Sequence, residues 1–190
     1  MALEDLPRRH RITVHEYHRM AEVGLLAPDA RVELIEGEII DMAPIGDPHR
    51  STVMRLDRLL QRAVGDQALI LCQASIRLGR YSEPEPDLAV LRARADYYRS
   101  APPAAADTLL VIEVSDTTLR YDRHTKVPFY ARYGVPEVWL ADLPNLTVHF
   151  FRGLSGERYT DESATNTPGI TALPGLPDAK IDLSSLFETE

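Results

Sequence analysis

Apolar positions in the first half of the chain follow two patterns, one with helical spacing and one of short runs typical of strands. Thr13 and Glu16 form a capping-box pattern in front of a helical period. The segment RVELIEGEIIDM holds two short apolar runs on either side of a glycine, as in a β-hairpin. Asp47-Pro48 suits a helix N-cap followed by proline, and apolar residues then recur at helical spacing. These patterns predict a helix at 14–24, a hairpin at 31–36 and 38–42 around Gly37, and a helix at 48–64.

Strand patterns dominate the second half of the chain. TLLVIEVS is apolar enough to be the central strand of a sheet. A helix is predicted over 122–133 with Gly134 at its end, and Pro128 places its start near Arg123 or a kink there. EVWLAD and LTVHFFR are joined by a turn at Pro144-Asn145. The predicted strands lie at 68–78, 86–91, 108–115, 137–142 and 146–152.

This order of elements predicts a mixed α/β fold around one sheet. The 190 residues fit a single domain with a core at about 12–152. The tail at 153–190 is rich in Gly, Ser, Thr and Pro, and we expect loops and short strands packed on that core.

Composition and charge exclude several classes of protein. The formal net charge of -8 excludes a polycation that coats DNA or anionic membranes. One cysteine, Cys72, excludes a disulfide framework, and we expect it to be buried. No apolar run approaches the roughly 18 residues of a membrane helix, and MALEDLPRRH lacks the apolar core of a signal peptide. We therefore expect a cytoplasmic protein that makes no membrane contact.

Two acidic residues stand where a carboxylate is costly. Glu113 interrupts the apolar run of the predicted central strand, where it needs a partner or a cation. Asp87 follows the prolines of Pro84-Glu85-Pro86 at the start of another strand. If these strands are neighbours, both carboxylates point into one cleft, and two-residue alternation places Ser115 on the same face as Glu113.

The next predicted helix supplies a positive charge. Asp122 and Lys126 are four residues apart, on a face that Tyr130 extends. A helix entered directly from the Glu113 strand brings Lys126 back over the end of that strand. Two carboxylates and a lysine suit phosphodiester hydrolysis in which oxygen ligands hold Mg²⁺, with Mn²⁺ as a substitute. The lysine then stabilises or deprotonates the attacking water.

Each of these residues also has an ordinary structural interpretation. Asp87 alone suits the cap of a turn, and Glu113 alone suits a buried carboxylate paired with Arg or Lys. Asp122 and Lys126 alone suit a surface ion pair. Only their combination favours a site.

The segments EPDLAV and LVIEVSDTTLRYDRHTKVPFYARYGVPEVWLAD, with RVELIEGEII and PHR before them, resemble the Uma-type putative restriction endonucleases. That family belongs to the PD-(D/E)XK nuclease superfamily, and the likeness covers roughly residues 12 to 143. It implies a restriction-endonuclease-like core with flanking helices and Mg²⁺-dependent cleavage of DNA. By position, Asp87 is the motif aspartate and Glu113 the motif glutamate. Ser115 stands where the motif lysine is expected, and the resemblance moves that role to Lys126.

The resemblance also implies supporting residues. Glu33 is favoured over Glu36 as a further acidic group from the hairpin, with an ordinary solvated hairpin face as the alternative for Glu33, Glu36 and Glu38. His49, at the start of the second helix, is expected near the cleft, where an ordinary helix-start hydrogen bond is the alternative. Asp122 completes the supporting set.

The leading hypothesis is thus a divalent-metal-dependent DNA endonuclease. Two alternatives stay open: a binding or interaction module that keeps the fold without cutting, and a phosphoesterase that acts on RNA or nucleotides. Because cutting both strands commonly pairs two sites, we expect a homodimer.

Overall fold

A six-stranded mixed sheet is the centre of the computed structural model, which describes residues 9–188. The first eight residues, where we expect no signal peptide, lie outside this range. In chain order the strands are β1 (Val32–Ile35), β2 (Glu38–Asp41), β3 (Ala68–Cys72), β4 (Leu88–Arg92), β5 (Thr108–Ser115), β6 (Val138–Asp142), β7 (Thr147–Ser155), β8 (Arg158–Thr165), β9 (Ile170–Leu173) and β10 (Leu176–Asp182). The sheet runs from β3 to β8 in that order, and only β5 and β6 pair in parallel.

Helices cover both faces of this sheet. They are α1 (Val14–Glu22), α2 (Asp47–Val64), α3 (Leu119–Tyr121) and α4 (Val127–Arg132), with a π-turn at Asp122–Lys126 between the last two. The apolar face of α2 and the β9–β10 hairpin pack on one side, and α4 packs on the other. The predicted mixed α/β fold is confirmed.

Strand β5 determines which face carries the chemistry. All eight of its residues are buried, as expected for a central strand. Ile112 and Val114 join the apolar cluster beneath α2, whereas Val111 joins the cluster beneath α4. Because side chains alternate along a strand, Glu113 points to the α4 side.

The strand predicted at 68–78 is wrong beyond Cys72. Gln73 takes a φ of +45°, and the chain leaves the sheet there. The N–H groups of Gln73 and Ile76 then donate to the carbonyls of Asp87 and Pro84. The second half of this apolar run therefore lies against the segment that leads into β4. Cys72 is exposed, contrary to expectation.

The start of α2 differs from the prediction by one residue. Gly46, not Asp47, is the N-cap, and no side chain caps this end. Asp47 lies in the first turn, where its carboxylate accepts a hydrogen bond from Arg50 at 2.6 Å. Pro48 lies in that turn as expected, since its missing N–H costs nothing there.

The helix predicted from Asp122 begins earlier, at Leu119, and runs on through the π-turn without a break. In this turn the Val127 N–H bonds to the Asp122 carbonyl, five residues back. The widened turn ends directly before Pro128, which therefore occupies the first turn of α4, where proline is tolerated. Asp122 and Lys126 are both buried as a result.

The C-terminal tail contributes more than loops and short strands. β7 continues to Ser155, and β8 is the sixth strand of the main sheet. Most side chains of β8 are exposed, so this edge strand carries no apolar alternation from which it could be predicted. The β9–β10 hairpin packs against α2.

Gly37 fixes the β1–β2 hairpin against the N-terminal segment, and replacing it tests that packing. Its φ is +85°, and an added Cβ would meet the Cβ of Arg11 at 2.6 Å. Gly37→Ala should lower the free energy of unfolding by about 2–5 kcal/mol, from left-handed strain plus overpacking. Chemical denaturation measures this loss.

Gly134→Ala is the matched control. Gly134 has the same φ of +85°, but nothing lies within 4 Å of an added Cβ. The free energy of unfolding of this variant should fall only by the cost of left-handed strain, about 1–2 kcal/mol. Equal losses at the two positions would show that the contact with Arg11 is unimportant.

Candidate active site

A cleft of about 340 Å³ opens where the hairpin, the start of α2 and the ends of β4 and β5 meet. The segment from β5 to the π-turn closes its remaining side. Six of the residues singled out from the sequence line this cleft: Glu33, His49, Asp87, Glu113, Asp122 and Lys126.

The register of β4 and β5 brings the two candidate carboxylates together. Leu88 pairs with Ile112 in this antiparallel ladder, so Asp87 lies next to Glu113 one step further along. The Oδ2 atom of Asp87 accepts a hydrogen bond from the Val114 N–H at 2.9 Å. Asp87 is therefore tied to the neighbouring strand, and the alternative of a local turn cap is wrong.

His49 fixes the same carboxylate from α2. Its Nε2 atom lies 3.1 Å from Oδ2 of Asp87. The first turn of α2 thus reaches the start of β4, which places His49 at the cleft.

Glu113 and Lys126 form a buried ion pair. The Nζ atom of Lys126 lies 2.8 Å from Oε1 of Glu113 and 3.4 Å from Oε2 of Glu33. The Tyr130 hydroxyl donates to the same Oε1 of Glu113 at 2.6 Å. The exposed fraction is 3% for Glu33 and Glu113 and 4% for Lys126. Lys126 therefore reaches the site, and the surface ion pair is excluded.

Burial sets the proton affinities of this pair. Desolvation raises the pKa of Glu113 above its ordinary value, with Lys126 opposing the shift and Asp87 reinforcing it. Burial alone would lower the pKa of Lys126, but Glu113 and Glu33 outweigh it and raise that pKa above its ordinary value. The ammonium form of Lys126 is therefore the stable one.

The hairpin supplies Glu33 rather than Glu36. Glu33 is buried, and its Oε2 atom also accepts a hydrogen bond from the Glu85 N–H at 3.2 Å. Glu36 is exposed and pairs with Arg132 at 3.0 Å. The solvated-face interpretation is thus right for Glu36 and wrong for Glu33.

Ser115 and Asp122 act beneath the cleft. The Ser115 hydroxyl, fully buried, donates to Oδ2 of Asp122 at 2.6 Å, and the Thr118 hydroxyl donates to the same atom at 2.5 Å. Ser115, which occupies the position expected for the motif lysine, therefore anchors the π-turn to the end of β5. That anchor holds the turn from which Lys126 reaches the cleft.

Sequence reasoning missed Tyr121. It lines the cleft, and its hydroxyl is buried without a hydrogen-bond partner among residues 9–188. The Nδ1 atom of His49 is in the same condition. Tyr121 directly precedes Asp122 in the chain, yet no periodicity or motif spacing distinguishes it from a surface tyrosine.

The carboxylates suit a hard cation with an incomplete protein shell. Among residues 9–188 no three His, Cys, Asp or Glu side chains stand grouped as metal ligands. Asp87 and Glu113 each commit one oxygen to hydrogen bonds within this range, and Oδ1 and Oε2 accept none there. Mg²⁺ is usually held by one or two carboxylates, with water and substrate phosphates completing its shell. The two free oxygens fit that mode.

The comparisons with known proteins define the class of protein. The sequence model of the Uma2 family, described as "Putative restriction endonuclease", matches residues 14–184. The chain therefore belongs to this family, which supports a nuclease-like function.

A solved structure shares the fold. It is the crystal structure of a putative nuclease belonging to DUF820 from Anabaena variabilis ATCC 29413. The TM-score is 0.70 at 17% identity, over 93% of this chain and 97% of that one. A search of curated proteins gives no match. Within residues 9–188, no helix has the length and apolar character needed to traverse a bilayer.

Lys126→Met tests whether the buried pair stabilises the site. The substitution leaves Glu113 and Glu33 buried without their cation, so the free energy of unfolding should fall by about 3–5 kcal/mol. Denaturant titration at neutral pH measures the change.

The double variant Lys126→Met/Glu113→Gln is the control. It also removes one of the two stranded carboxylates, that of Glu113, so it should be more stable than the single Lys126→Met variant by about 1 kcal/mol or more. A single variant that loses less than about 1 kcal/mol would contradict a structural role for this pair.

Proposed function

We propose that this protein hydrolyses DNA phosphodiester bonds with the help of Mg²⁺, for which Mn²⁺ is a substitute. One observation carries the proposal. Asp87 and Glu113 lie side by side on neighbouring strands in the cleft, and Lys126 forms an ion pair with Glu113. Membership of the Uma2 family, described as "Putative restriction endonuclease", points to the same reaction.

Asp87 and Glu113 are the residues that would hold the metal. When bound, Mg²⁺ supplies positive charge that neutralises the phosphate and orients the attacking water. The Val114 N–H and His49 hold the Asp87 carboxylate, and Tyr130 holds that of Glu113. Each ligand is thus held through one oxygen, which leaves the other oxygen for the metal.

Lys126 acts as a cation in this proposal. Between Glu113 and Glu33 its ammonium group is stable in the protonated form, which favours donation to the attacking water or a phosphate oxygen over proton abstraction. Glu33 restrains the ammonium group from the hairpin side. Ser115 and Asp122 keep the π-turn, and with it Lys126, at the end of β5.

Tyr121 and His49 complete the proposed site. The Tyr121 hydroxyl is a donor without a partner among the described residues, on the wall of the cleft. An oxygen of the phosphate, or of a water beside it, would accept a hydrogen bond from this hydroxyl. Because Nε2 of His49 donates to Asp87, Nδ1 of that tautomer is an acceptor, which a water in the cleft would satisfy as donor.

We further propose that two copies act together as a homodimer, since cleavage of both DNA strands needs two sites. A cytoplasmic location is part of the same proposal. The exposed, unpaired Cys72 suits a reducing compartment.

A Mn²⁺ titration tests the metal site. At a hundredfold excess over its Kd, the ion should stabilise the wild type by about 2.7 kcal/mol, a rise of several degrees in Tm. Asp87→Asn and Glu113→Gln should lose this rise and cleavage of DNA together. Thermal melts and a gel assay on plasmid DNA measure both effects.

Glu137→Gln is the matched control. Glu137 is a buried carboxylate that accepts hydrogen bonds from Trp139 and Arg152 away from the cleft. This variant should retain the Mn²⁺-induced rise. If the wild type shows neither a Mn²⁺-induced rise in Tm nor cleavage of DNA, the proposal is contradicted and a binding module is favoured. Cleavage of RNA or nucleotides alone would favour the phosphoesterase.

A further inference from the structure

A shallow depression adjoins the cleft on its outer side. We name it the Arg120 ledge, and it is lined by Thr117, Thr118, Arg120, Tyr121, His124 and Thr125. Thr117, Thr118 and Tyr121 also line the cleft, so the two surfaces are continuous. A polymeric ligand bound at Asp87 and Glu113 can therefore extend from the cleft onto this ledge.

The ledge differs from the cleft in charge. The cleft collects six carboxylates besides Glu113: Glu33, Asp41, Glu85, Asp87, Asp116 and Asp122. All six residues that line the ledge are neutral or basic. In a protein of formal net charge -8, a basic surface continuous with an acidic cleft is a notable local reversal.

Arg120 is available for a ligand. It is exposed, and it makes no ion pair within 4.0 Å among residues 9–188. Arg123, by contrast, pairs with Glu162, and Arg132 pairs with Glu36. The guanidinium group of Arg120 therefore keeps all its donors for an external partner.

The side chains around Arg120 suit phosphate as well. His124 follows four residues later, which places it one helical turn, or about 6 Å, along the same surface. It is exposed, as are Thr117 and Thr125. Imidazole and hydroxyl groups are common donors to phosphate oxygens.

We propose that the Arg120 ledge binds the phosphodiester backbone of a polynucleotide next to the bond that is cut. This inference rests on the proposed function and deepens it, because it assigns named residues to the strand that continues beyond the bond that is cut. The ledge contacts phosphates, which DNA and RNA share.

Binding of a fluorescent single-stranded oligonucleotide, followed by anisotropy in Ca²⁺ between 50 and 300 mM salt, tests the ledge. Each phosphate contact contributes about 0.7 to the slope of log affinity against log salt. Arg120→Gln should reduce that slope by about 0.7 and weaken binding about two- to fivefold at low salt. His124→Gln should weaken binding in the same direction.

Arg62→Gln is the control of equal charge. Arg62 is an exposed arginine in the last turn of α2, about 20 Å along that helix from His49. This variant should bind like the wild type. Hydrolysis of a small phosphodiester, bis(p-nitrophenyl) phosphate, should be unchanged in Arg120→Gln, because the ledge lies outside the reacting centre.

The outcomes separate the two proposals. A wild type that cleaves DNA and binds the oligonucleotide, with Arg120→Gln indistinguishable from Arg62→Gln, would overturn the ledge and leave the nuclease intact. A wild type that neither binds the oligonucleotide nor cleaves DNA would overturn the proposed function itself. Weaker oligonucleotide binding in Arg120→Gln and His124→Gln, with Arg62→Gln unchanged, supports the ledge.

Discussion

The candidate site depends on the ion pairing of the buried Lys126 ammonium group with Glu113 and Glu33. Removing an ion from water costs several kcal/mol, and only well-placed opposite charges offset that cost. Here the offset comes from Glu113 and Glu33, which lie on separate elements of the chain. The β1–β2 hairpin, the central strand and the π-turn must therefore stay together for Lys126 to remain buried. The same contact holds the cleft in shape.

The site also gathers several carboxylates in a partly buried cleft, where a protein interior usually holds apolar residues. Asp87 lies beside Glu113, and burial raises the pKa of Glu113. Perturbed carboxylates gathered in a cleft are typical of functional sites, because a stability optimum would place apolar residues there. A divalent cation would relieve the repulsion that the protein groups only partly neutralise. Fold stability and metal binding would then favour the same geometry.

Much of this could be predicted from the sequence, because the run from Leu109 to Val114 within β5 is apolar except for Glu113. The apolar run identified the central strand, and the exception within it identified the candidate carboxylate. Strand alternation placed Ser115 on the same face as Glu113. The reach of Lys126 could not be derived from spacing, since it depends on a π-turn that no apolar period indicates. Strand β8 was missed because an exposed edge strand needs no apolar face. Tyr121 was missed because its significance lies in an unpaired hydroxyl, which only the three-dimensional packing reveals.

The central claim is that Asp87 and Glu113 hold one divalent cation between them. Anomalous diffraction from crystals soaked in Mn²⁺ tests it most directly. The account predicts a single strong peak within about 2.5 Å of Oδ1 of Asp87 and Oε2 of Glu113, with the contacts to Val114 and Lys126 retained. Crystals soaked with millimolar Mn²⁺ and an oligonucleotide that show no peak between these two carboxylates would contradict it.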